Sequence, residues 1–150
     1  MHKYSKVSLE RLHTCHPDLR KVFTYVLSNF DHTIICGHRG EKEQNEAYKE
    51  KRSKVRYPNS KHNSYPSMAV DAVPYPVDWN DTKRMRFFAG YVQGIARALY
   101  DMERIDHLIR WGGDWDKDTE VKDNKFQDLP HFELYKPIEW IWNDRISGQP

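Results

Sequence analysis

The sequence predicts an α+β domain in which helices pack against a small antiparallel sheet, and three observations carry that expectation. Two stretches repeat apolar residues at helical spacing: Leu19, Val22, Phe23, Val26, Leu27 and Phe30, then Met85, Phe88, Ala89, Val92, Ile95, Ala96 and Leu99. Short alternating or β-branched runs lie between and after them, bounded by Gly and Pro, and suit strands. The chain has 150 residues, the size of one domain with its own core.

Met1 to His16 lacks a sustained period, and only Ser8 to Leu12 is expected to form a turn of helix. His13, Cys15 and His16 precede a proline and read as loop residues rather than metal ligands. Pro17 suits a first helical turn, so a helix is expected over Pro17 to Phe30. Thr33 to Cys36 reads as a strand that delivers Gly37, His38 and Arg39 to its end. A charged helix follows from about Glu41 to Arg52, with Gln44 and Tyr48 four apart on one face.

Met68 to Val73 is the next expected strand, with Met68, Val70 and Ala72 on one face and Ala69, Asp71 and Val73 on the other. Asn80 or Asp81 is a suitable cap for a long core helix ending near Met102. Ile105 to Trp111 reads as a strand, and Gly112-Gly113 would let the backbone turn at its end. From His131 the chain alternates again, with Phe132 and Leu134 opposite His131, Glu133 and Tyr135. Ile138 to Trp142 is expected as a final helical turn in a short terminal extension, about 138–150, of a single domain spanning 1–150.

Two segments carry the chemistry. Ser60 to Pro76 holds His62 and Asp71, and Asp128 to Tyr135 holds His131. Two imidazoles and a carboxylate suit one catalytic Zn²⁺, because three protein ligands of a tetrahedral ion leave the fourth position to water. Cys15 and Cys36 lie outside both segments, so an open site is expected rather than a closed structural one. Asp71 is a charge on an apolar strand and needs a partner. Asp128 stands three residues before His131 across a turn, and Glu133, on the strand face of His131, is the rival base.

Ser60-Lys61-His62, Ala69-Val70-Asp71 and Asp128-Leu129-Pro130-His131 together resemble the zinc D,D-carboxypeptidases and L-alanyl-D-glutamate endopeptidases of bacterial cell-wall metabolism, whose fold is shared with the hedgehog signalling domain. The phage endolysin branch is the most similar, through Pro74-Tyr75-Pro76 and Trp111-Gly112-Gly113-Asp114-Trp115, and the resemblance covers roughly Val22 to Leu134. Many members space His and Asp by seven, so this chain carries a longer loop at Asn63 to Ser67.

The resemblance implies a hedgehog/D,D-peptidase-like fold and one zinc ion on His62, Asp71 and His131. It implies Asp128 as general base and Arg39 at the substrate cleft, meeting a substrate carboxylate or a developing oxyanion. Gln44, Ser60 and Trp115 are the further expected substrate contacts. The implied substrate is the stem peptide of peptidoglycan, cut at the L-alanyl-D-glutamate bond. D-alanyl-D-alanine carboxypeptidase activity and a non-catalytic zinc-stabilised binding module are the alternatives.

Charged residues make up 31% of the chain and aromatics 13%, with a net charge of +2, which describes a folded domain without a nucleic-acid footprint. The basic run Lys49 to Arg56 reads as a solvated helix end, so no nucleic-acid partner is expected. Asp114, Asp116, Asp118 and Glu120 alternate like a Ca²⁺ loop, but Thr119 and Lys125 replace the Gly and Glu that such a loop needs; a solvated acidic loop is expected instead. His107 lacks any motif context and is read as structural. No membrane-length apolar stretch and no signal-like region follows Met1. The protein is therefore expected to be a monomer made in a host bacterial cytoplasm, without membrane insertion, that reaches the wall after the membrane is permeabilised.

Overall fold

A computed structural model describes residues 1–137. The elements run α1 (Lys6–His13), α2 (Pro17–Leu27), β1 (His32–Cys36), α3 (Glu41–Lys49), a 3₁₀ turn (Lys61–Asn63), β2 (Ala69–Pro74), α4 (Thr82–Asp101), β3 (Leu108–Trp111) and β4 (His131–Tyr135). The four strands form one antiparallel sheet in the order β1-β2-β4-β3. The expected α+β architecture is the observed one. The expected helical turn at Ile138 to Trp142 lies outside the described residues.

One face of the sheet is covered by helices. Leu19, Val22, Phe23 and Val26 of α2 and Phe88, Ala89, Val92, Ala96 and Leu99 of α4 pack with Val70, Ala72, Phe132 and Leu134 from β2 and β4. Fully burying each large aliphatic or aromatic side chain is worth about 1.5–3 kcal/mol, so this layer fixes how the sheet lies. The opposite face keeps the alternate residues of β2 and β4, among them Asp71, His131 and Glu133, away from that core.

The ends of the elements differ from expectation for local reasons. α1 is a full helix, capped by the Ser5 hydroxyl on the Ser8 amide, although only Ser8 and Leu12 are buried and leave little periodicity to read. α2 stops at Leu27, after which Ser28, Asn29 and Phe30 turn back on Tyr25 and Val26 carbonyls. β3 begins at Leu108 rather than Ile105, because the Asp106 amide and the His107 ring are held by Asp18 instead of the ladder. Asp81 is the cap of α4, accepting from the Arg84 amide.

Neither glycine after β3 has a positive φ. Gly112 is required for space, not for a special turn: a Cβ there would lie 2.1 Å from the Asp128 carbonyl oxygen. The close approach lets the Asp128 amide bond the Gly112 carbonyl at 2.7 Å and brings Asp128 up to the sheet. No helix among the described residues is long and apolar enough to cross a membrane.

His32, on β1, is 3% exposed, with Nδ1 2.8 Å from the Phe30 carbonyl and Nε2 2.6 Å from the Tyr4 hydroxyl. Burial pulls it down to about 4, although Phe30 and Asp31 favour its charged form. A folded pKa below the unfolded value of about 6.5 means the unfolded chain binds the extra proton first, so stability falls as pH drops from 6.5 through 4. Denaturant unfolding should register a loss on the order of 3 kcal/mol across that window, and His32→Asn should flatten it. An equally steep slope in the variant would show that other groups cause it.

Candidate active site

The antiparallel register of β2 and β4 places Asp71 directly opposite His131. His62 reaches the same point from the 3₁₀ turn, whose start is capped by Ser60: its hydroxyl accepts from the His62 amide, and its own amide donates to Asn63 Oδ1. The loop from Asn63 to Ser67 is pinned by backbone bonds from Ser67 to Thr14 and from Met68 to Lys61. Segments far apart in sequence thus deliver three side chains to one spot.

His62 Nε2, Asp71 Oδ1 and His131 Nδ1 are each 3.2 Å from the other two. A tetrahedral ion with bonds of about 2.0–2.1 Å separates its ligands by about 3.3 Å, so the spacing fits a metal such as zinc. The other ring nitrogens also fit. His62 Nδ1 donates to the Gly37 carbonyl at 2.7 Å and His131 Nε2 donates to Glu133 Oε1 at 2.9 Å. In a neutral ring each of those bonds leaves the inward nitrogen with its lone pair.

Protons compete for the same positions. Burial pulls His62 down, but the charge and hydrogen bond of Asp71 outweigh it and raise the ring to about 10. Burial pushes Asp71 up, and the two imidazoles nonetheless hold it well below the usual carboxylate range. Metal entry must displace those protons, so affinity falls as pH falls.

Around the three ligand atoms opens a cleft of about 760 Å³, lined by Arg39, Ser60, Lys54, Trp115, Phe126 and Asp128 among others. Burial, then the charge of Asp71, hold the Asp128 carboxyl above its ordinary value. Arg39 lies beside Asp71, its Nη2 3.6 Å from Asp71 Oδ2. Trp115 tilts over His131 with ring centres 5.5 Å apart and stacks on Phe126 at 6.1 Å.

A family model described as phage L-alanyl-D-glutamate peptidase matches residues 1–135. The chain belongs to that family. Among solved structures, the Serratia marcescens L-Ala D-Glu endopeptidase ChiX is similar to this peptidase with a TM-score of 0.66 and 26% identity, over 88% of this chain and 89% of that one. No curated protein matches the chain.

Within this family member the expected residues divide. His62, Asp71, His131, Asp128, Arg39, Ser60 and Trp115 all meet at the cleft. Gln44 is not among the residues that line it. It is fully buried, its Oε1 accepts from Arg39 Nη1 and Asn63 Nδ2, and its Nε2 donates to Ser53 Oγ and the Val55 carbonyl. Its amide is spent on holding Arg39 and the loop after α3. Ser60 has a capping duty of its own, which suffices to explain a serine there.

Glu133 is also unsuited to act as a base. One oxygen accepts from His131, the other accepts from Arg110 at 2.8 Å, and only 5% of the residue is exposed. Burial pushes Glu133 up, yet those two partners hold it down at about 2.

Ligand atoms of His16, Asp18 and His107 also lie within 4.8 Å of one another. Hydrogen bonds account for that cluster: His16 Nδ1 caps α2 by accepting from the Asp18 amide, and Asp18 Oδ2 accepts from the Asp106 amide and His107 Nδ1. It joins the start of α2 to the approach to β3. Cys15 and Cys36 are both free thiols.

Proposed function

We propose that this chain is a zinc-dependent peptidoglycan hydrolase that cuts the L-alanyl-D-glutamate bond of the stem peptide, working as a phage endolysin. The observation that carries the zinc part of the reading is the 3.2 Å triangle of His62, Asp71 and His131, with the outward nitrogen of each ring already committed. Membership in the peptidase family supports the choice of bond. A zinc ion there would polarise the scissile carbonyl and bring the pKa of a water near 7.

Asp128 is the base in this reading. It lies in the cleft with a raised affinity for protons, takes one from the attacking water and passes it to the leaving amine. Arg39, held in place by Gln44 and Asp71, meets the oxyanion that develops on the carbonyl or a carboxylate of the substrate. Trp115 and Phe126 stack on each other and wall part of the cleft. The enzyme would act as a monomer on peptidoglycan, reaching it from the host cytoplasm through a permeabilised membrane.

The test is digestion of purified peptidoglycan with release of free amino groups followed over time. Release should cease with a strong chelator and return on adding zinc. Undiminished release in the chelator would contradict the zinc reading.

A further inference from the structure

Glu133 lies two residues after His131 on the cleft face of β4, and Arg110 stands directly opposite it on β3. We infer that Glu133, held by Arg110, is a positioning residue that fixes the tautomer of His131 and thereby its competence as a metal ligand. The inference rests on the metal reading proposed above.

A neutral imidazole carries one N–H, and an ionised carboxylate can only accept. The 2.9 Å bond from His131 Nε2 to Glu133 Oε1 therefore assigns the hydrogen to Nε2 and leaves the lone pair on Nδ1, the nitrogen that meets His62 and Asp71. Arg110 Nη2, 2.8 Å from Glu133 Oε2, holds that carboxylate aimed at the ring. Removing the acceptor would leave the ring free to place its hydrogen on either nitrogen and to turn.

Arg110 has a second attachment. Its Nη1 donates to the Trp115 carbonyl at 3.3 Å and its guanidinium lies 5.3 Å from the Trp115 ring, the same ring that tilts over His131. One guanidinium thus joins the residue that sets the tautomer to the aromatic wall of the cleft. Arg110→Ala should therefore weaken zinc binding and also raise KM, whereas a change at Glu133 should act chiefly through the metal.

The experiment is zinc competition against a chromogenic chelator, on the full chain at neutral pH, with thermal unfolding of the metal-free protein measured in parallel. Glu133→Ala should weaken zinc binding about 10- to 100-fold. Glu133→Gln keeps an oxygen that accepts from Nε2 and should recover most of that loss. Glu133→Ala that binds zinc like the wild type while melting at a lower temperature would reduce Glu133 to a structural role. Gln as damaging as Ala would overturn the tautomer argument. A wild type that takes up no zinc would overturn the metal reading and this inference together.

Discussion

Asp128→Asn should retain its metal and lose turnover by about 10²- to 10⁴-fold, the usual contribution of a positioned acid–base group. The substitution keeps the shape of the side chain, and the backbone bonds that anchor Asp128 to Gly112 and His131 do not involve the carboxylate. Of the other carboxylates that line the cleft outside the metal triangle, Glu133 shares the strand face of His131, and both of its oxygens are occupied. The loss should fall on kcat more than on KM, because the base acts in the transition state. Near wild-type activity in the variant would remove Asp128 from the mechanism.

Zinc should stabilise the protein against heat, and Asp71→Asn should abolish the response. At a free zinc concentration 100 times the dissociation constant, binding contributes about 2.7 kcal/mol, or on the order of 5–10 °C for a chain of this size. Asp71 is the carboxylate that meets both imidazoles and also pairs with Arg39. The amide preserves its volume and removes its charge. A variant with an undiminished shift would place the ion elsewhere, and the His16, Asp18 and His107 cluster would be the first alternative.

The strand faces were legible because alternation is a local property. Phe132 and Leu134 face the core while His131 and Glu133 face the cleft, and Asp71 meets His131 across the ladder, as the pattern of each strand implies. Family resemblance then singled out His62 from the other histidines, which periodicity alone could not do. The roles of Gln44 and Glu133 were not legible, because both depend on partners distant in sequence. Gln44 saturates itself on Arg39, Ser53, Val55 and Asn63, and Glu133 is claimed by Arg110 from a neighbouring strand. The start of β3 was not legible for the same reason: Asp18, 88 residues earlier, takes the Asp106 amide out of the ladder. A buried polar side chain announces that it has partners without saying which.

Cleavage of the L-alanyl-D-glutamate bond in this cleft should require a metal on His62, Asp71 and His131. Mass spectrometry of purified peptidoglycan after digestion, with and without chelator, tests it most directly. The expected products are glycan-linked stems that end in L-alanine and freed peptides that begin with D-glutamate, both absent when the metal is removed. Release of single D-alanine, or the same peptides in the presence of chelator, would contradict it.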